Sequence, residues 1–259
     1  MALLDRIPSP PSESARYPLR SLVRRAVTPK EVHWDLTGDF PLDQGSEGAC
    51  VGFGTSAELS ALPIALPTGT PFANKLYQLA RAEDAAMGYH YPDGATVLGG
   101  LKAAKKLGLI EGYAWAQSFE DIRDAVLGHG SVVMGTDWLT GMDSWDDDGV
   151  LSVSGEVRGG HCWAIVGYVP DHPRHGELFE LCNSWGPGWG LHGRAYVTAT
   201  GLRALFEANG EAAIVTDTPV TPIVPSPTPR RPASPLAQLC AQLRAWFDRL
   251  SHSGDSGAK

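Results

Sequence analysis

The chain has 259 residues, 43% of them hydrophobic, and a formal net charge of −8 at pH 7. That length can bury one good-sized core or two lobes of one domain, and the acidic balance excludes a body built to grip nucleic acid or an anionic membrane, which needs concentrated Lys and Arg. Four cysteines without C-x-x-C spacing suggest neither a zinc site nor a disulfide framework but free thiols, and no stretch is long enough to span a membrane.

In chain order, residues 1–30 read as an arm. The Pro- and Ser-rich stretch 1–15 is expected to be disordered, and arginines at 16, 20 and 24 mark a short basic piece. Met1 to Asp5 lacks the charged and apolar regions of a secretion signal, so a cytoplasmic location is expected. A compact domain is expected over 31–216. It opens on a strand at Val32-His33-Trp34-Asp35-Leu36, with the indole buried. The glycines at 45 and 48 permit a tight turn, and a helix runs from Cys50 to Leu62 until Pro63 stops it. Further helices are predicted over 74–87, over 95–107 ending at Gly108, and over 119–127. From Ser131 the period switches to two, giving strands at 131–135, 150–153, 162–169 (opened by His161), 178–182 and 193–199. The result is an α+β chain, helical first and antiparallel β second. The acidic run Asp143, Asp146, Asp147, Asp148 is a solvated loop and not a calcium loop, because Gly155 stands where the closing glutamate would be. Seven prolines from 219 to 235 make 217–235 a stiff linker. In the remaining piece, 236–259, Leu236, Leu239, Cys240, Leu243, Trp246, Phe247 and Leu250 form one apolar stripe over 236–250. That helix either docks back on the domain or binds a partner or a second copy.

The chemistry concentrates at three places. Cys50 falls in the first turn of its helix, where unsatisfied backbone N–H groups would lower the thiol pKa and make the sulfur a nucleophile. Gln44 carries a side-chain amide that, with the Cys50 backbone N–H, could form an oxyanion hole. His161 and Asn183, each at the end of a predicted strand, supply a base and a group to orient it. Alone, each residue has a bland explanation as a core, capping or turn residue. Their order and their local motifs do not.

Those motifs, Gln44-Gly45-Ser46-Glu47-Gly48-Ala49-Cys50 and Asn183-Ser184-Trp185-Gly186-Pro187-Gly188-Trp189-Gly190, resemble those of the papain-like cysteine peptidases over about residues 32–200. The resemblance implies a papain-like two-lobe fold and a Cys-His-Asn mechanism through a thioester acyl-enzyme. Cys50 falls on the nucleophile, His161 on the base, Asn183 on its orienting amide and Gln44 on the oxyanion donor. Gly94 and Gly160 fall on substrate-contacting positions, and Trp185 on the indole that covers the His–Asn bond beside the substrate. It implies a peptide or protein substrate, with no metal and no organic cofactor. Gly160 leaves no charge beside the base, so selection of a basic side chain from that position is not expected. Two departures stand out. Glu47 replaces a disulfide cysteine of secreted members, and His161 follows Cys50 more closely than the family's roughly 130 positions, which implies short loops. The arm is too short for the family's helical pro-segment and reads as a tail packed loosely on the surface, with partial cover of the cleft as the other reading. The other functions considered are a catalytically silent binding or assembly module and a thiol acyl-transferase or amidase with a non-protein or isopeptide substrate.

Overall fold

The computed structural model describes residues 3–22 and 28–219. The helix expected over 236–250, and all but the first residues of the linker, lie outside the described residues. The elements are β1 (Arg6–Ile7), α1 (Pro11–Ser14), β2 (Val32–His33), α2 (Cys50–Ser60), α3 (Thr70–Ala86), β3 (Ala95–Thr96), α4 (Val97–Lys106), β4 (Gly112–Trp115), α5 (Phe119–Gly128), β5 (Val132–Leu139), β6 (Val157–His172), β7 (Gly176–Cys182), β8 (Arg194–Thr198), α6 (Ala199–Asn209) and β9 (Glu211–Thr216).

Helices of the first half pack as one lobe. α3 and α4 each bury one face, as their 3.6-residue periodicity requires, while every residue of α2 is buried. A helix buried on all sides must be central, and α2 lies between the other helices and the sheet. Its serines satisfy themselves locally: the hydroxyls of Ser56 and Ser60 donate to the carbonyls one turn back, at 2.7 and 2.8 Å. The second half is an antiparallel sheet in the order β4-β9-β5-β6-β7-β8, with β2 added to β6. α5 starts at a capping box, the Ser118 hydroxyl accepting from the Asp121 N–H and the Asp121 carboxylate accepting from the Ser118 N–H.

Several expectations need correction. The stretch 150–153 forms only isolated bridges, Val150 to Tyr196 and Leu151 to Trp145, and no strand of its own. β6 begins at Val157, so His161 lies inside a long strand held by β5 and does not open it. β4, α6 and β9 were not predicted. The largest difference is at the N-terminus. Residues 3–9 are neither disordered nor a loose tail. Arg6 and Ile7 pair in parallel with Ala95 and Thr96, and Asp5 bridges Gly160 on the sheet side.

Glu58, on the buried helix α2, ties the lobes. Its carboxyl accepts from the Ser131 hydroxyl at 2.6 Å and from the Val215 backbone N–H at 3.2 Å. Burial pushes its pKa up to about 8, against these two hydrogen bonds, which favour the charged form. The folded carboxyl therefore keeps its proton to about pH 8, whereas the unfolded one loses it near 4.5. Its stabilisation is complete below the unfolded value and shrinks as pH rises towards the folded value, by about 5 kcal/mol in all. Glu58→Gln should therefore gain stability relative to the unsubstituted chain between about pH 4.5 and pH 8, measured by denaturant unfolding at both. A difference that does not change with pH would show an ordinary carboxylate.

Candidate active site

Three chain segments meet where α2 abuts β6. Cys50 is the first residue of α2, His161 lies on β6, and Asn183 follows the last residue of β7. Gln44 precedes α2 on a loop sewn to the end of β7: its N–H donates to the Ser184 carbonyl at 2.8 Å, and the Gly186 N–H donates to the Leu42 carbonyl at 3.0 Å. All four residues are buried.

The hydrogen bonds fix the protonation of the base. Asn183 Oδ1 accepts from the Ser184 N–H at 2.8 Å, which makes that end of the amide the acceptor. The same oxygen lies 2.7 Å from His161 Nε2. Nε2 must therefore carry a proton, and the lone pair of the neutral ring sits on Nδ1, which is buried and has no hydrogen-bond partner. A ring held by one nitrogen with the other free is the arrangement a general base requires. The indole of Trp185 lies against the imidazole, ring centroids 4.9 Å apart and tilted by 32°, and shields the bond to Asn183. On the thiol side, the backbone N–H of Cys162, the residue after His161, points at the Cys50 sulfur.

No protein-family model matches the sequence, and no curated protein does so either. Solved structures do match. A digestive procathepsin L 3 from larvae of Tenebrio molitor is 18% identical over 79% of this chain and 74% of its own, with a TM-score of 0.58. Xylellain, a cysteine protease from Xylella fastidiosa, is 15% identical over 82% of this chain and 95% of its own, with a TM-score of 0.57. The proform of the ragweed pollen cysteine protease Amb a 11 is 20% identical over 83% and 73%, with a TM-score of 0.54. The chain has the papain-like fold.

Within this papain-like frame the Gln44 amide is held as an outward donor. Its Oε1 accepts from the Ser184 hydroxyl at 2.6 Å, so its NH₂ group faces the cleft, where it donates to the carbonyls of Glu47 at 2.7 Å and Leu3 at 3.2 Å. The expected site residues converge: Gly94, with φ of +83°, and Gly160 face each other across the segment 3–9, where a Cβ on either would collide with a backbone carbonyl, of Asp5 or of Arg6. Trp185 also borders an open groove lined by Asp43, Trp145, Arg158 and Trp189.

Covering by this segment reverses one expectation. A thiol at a helix N-terminus should have a lowered pKa, yet burial pushes Cys50 up to about 11, outweighing the N–H groups of Cys162, Asp5 and Val51 that point at the sulfur. Burial, with help from the Arg158 charge, pulls His161 down to about 4. The resting pair is thus neutral thiol and neutral imidazole, and Nδ1 makes no hydrogen bond to the sulfur.

Several site residues escaped the sequence reading. Trp138 meets both His161 and Trp185 edge-on at 5.0 and 4.9 Å. Ser184 was legible only as part of the asparagine motif. Cys50, Cys162 and Cys182 are free thiols, as expected. One possible metal cluster exists among the described residues, Asp148 with His172 and His175. It sits at the end of β6 away from His161, and the Arg174 guanidinium already pairs with the Asp148 carboxylate.

Alkylation of Cys50 in the intact chain, followed by peptide mapping, should be slow near neutral pH and still rise about tenfold per pH unit at about pH 9.5, since only the thiolate reacts. A plateau below about pH 8 would show a pre-formed thiolate–imidazolium pair.

Proposed function

We propose that this protein is a cysteine peptidase that hydrolyses peptide bonds through a thioester on Cys50. The observation that carries the reading is the hydrogen bond from His161 Nε2 to Asn183 Oδ1, which leaves a buried, unpartnered Nδ1 beside the thiol-bearing helix. The similarity to solved cysteine proteases supports it at the level of fold.

In the reaction, His161 Nδ1 takes the Cys50 proton and the sulfur adds to a peptide carbonyl carbon. The oxyanion accepts hydrogen bonds from the Gln44 NH₂ group and from the Cys50 N–H, which as a first-turn donor has no acceptor within the helix. As the C–N bond breaks, Nδ1–H protonates the leaving amine and the acyl group stays on sulfur. A water, deprotonated by Nδ1, then attacks the thioester and frees the acid and the thiol. Apart from that water, every step uses side chains and one backbone N–H of this chain.

The covered, protonated thiol favours a second reading, in which the cleft binds peptides without cutting them. An amidase or acyl-transferase would use the same atoms on a different acceptor. Incubation with a peptide library and a thiol-directed epoxide separates these readings. The peptidase reading expects hydrolysed peptides, epoxide on Cys50, no turnover by Cys50→Ala, and a kcat reduced about 10²- to 10³-fold in Gln44→Ala, as for loss of one oxyanion donor. Intact peptides with an unlabelled Cys50 would leave a binding module.

A further inference from the structure

Two tight turns face each other at the end of β6 away from His161, one carrying histidines and the other aspartates. The first is the reversal between β6 and β7, His172-Pro173-Arg174-His175. Proline at its second position, with the His175 N–H donating to the His172 carbonyl at 3.2 Å, makes it a β-turn. Residues three apart in sequence therefore stand side by side, and the two imidazoles stack with centroids 5.1 Å apart and a tilt of 26°. The second turn is the acidic run. Asp146 Oδ1 accepts from the N–H groups of Asp148 and Val150 at 2.9 and 3.0 Å, which fixes that carboxylate and leaves Oδ2 for the histidines.

The donor atoms converge. His175 Nε2 lies 3.0 Å from Asp148 Oδ2 and 3.1 Å from Asp146 Oδ2. His172 Nε2 stops 3.9 Å from the same Asp148 oxygen, beyond hydrogen-bond reach, and its Nδ1 is buried with no partner. The donor atoms of Asp148, His172 and His175 all lie within 4.8 Å of one another. Ligands that each sit about 2.0–2.2 Å from one ion stand roughly 3–3.5 Å apart, so the cluster has to draw in by only about 1 Å. Two stacked imidazolium rings would repel, whereas two neutral rings sharing one dication would not. Arg174, which pairs with Asp148 from outside, is 57% exposed and free to swing into water.

The donor set decides the class of ion. Imidazole nitrogens with carboxylate oxygens suit a borderline transition ion, while Ca²⁺ and Mg²⁺ want six or more oxygens, which this cluster does not offer. We propose that Asp148, His172 and His175, with Asp146 as a fourth donor, bind a divalent transition ion of the zinc class, and that Arg174 competes with the ion for Asp148. The ion is a clamp at a distance from the thiol, and the site does not depend on the peptidase reading. It joins the β6–β7 turn to the loop 143–149, whose other end walls the groove beside Trp185. There Asp143 accepts from the Trp138 indole N–H at 3.0 Å, and Trp145 meets Trp189 edge-on at 5.5 Å.

The test uses the full chain carrying Cys50→Ala, which removes the thiol of the one other place where sulfur and imidazole could share an ion. Stripped of metal with a chelator and titrated with Zn²⁺ in a calorimeter, it should take one ion per chain with micromolar or tighter affinity and no Ca²⁺ or Mg²⁺ at the same concentrations. Adding His175→Gln should weaken Zn²⁺ binding at least about 100-fold, since loss of even an outer-shell partner costs about 10- to 100-fold. Arg174→Gln should tighten it. Co²⁺ in place of Zn²⁺ should give visible absorption bands that His175→Gln abolishes, and Zn²⁺ should slow amide exchange over 146–150 and 172–176. Should His175→Gln not fold, His172→Gln carries the same expectation. Absence of Zn²⁺ binding, affinity unchanged by either histidine substitution, Ca²⁺ held as tightly as Zn²⁺, or exchange at the two turns unaltered by Zn²⁺ overturns the proposal. Equal affinity in Arg174→Gln refutes the part given to Arg174.

Discussion

The contact on which the site depends is between Gly54 of α2 and Cys162 of β6. A Cβ at Gly54 would lie 2.7 Å from the Cys162 sulfur and 3.1 Å from its backbone, so the helix can approach the strand only because residue 54 has no side chain. Cys50 is one turn earlier on the same helix, and His161 is the residue before Cys162. That approach therefore brings together the start of the thiol-bearing helix and the strand that carries the imidazole, although they come from different lobes and from distant parts of the chain. Orientation is then refined by polar contacts. Asn183 fixes the imidazole tautomer, and the tryptophans at 138 and 185 pack around the ring so that it cannot turn.

Burial opposes the helix N-terminus at this site, and burial wins. The partial charge of a helix end is a modest, short-range term, whereas removing a thiolate from water is a large one. Cys50 is fully buried beneath Asp5, so the larger effect sets the protonation of the resting pair. The same chain with its cleft open to water would be governed by the smaller one. The neutral state of the resting pair is in that sense a matter of solvation as much as of obstruction.

Local features of the sequence carried the site, and non-local ones hid part of the fold. The motif around Asn183 was legible because its turn is made by adjacent residues, and the helices over α3, α4 and α5 because an amphipathic period shows within one window. β4 has four residues, all buried, too few to show an alternation. β6 extends upstream of His161 because β5 pairs with Arg158-adjacent backbone there, a fact of partners and not of pattern. The segment 3–9 was least legible. Leu3-Leu4-Asp5-Arg6-Ile7-Pro8-Ser9 has no period of its own, and its conformation is imposed by slots at Gly94, Gly135 and Gly160, none of which is near it in sequence. The readable trace was those glycines themselves, each at a place where a backbone or a side chain of the arm comes too close for a Cβ.

Asn183 and Ser184 are neighbours in the chain, yet one steadies the imidazole and the other, through its hydroxyl, aims the Gln44 carboxamide. A single peptide unit thus serves as the common mount for the ring and for the carboxamide. Any tilt of this strand end would misalign both at once, so the two orientations can be lost or regained only in concert.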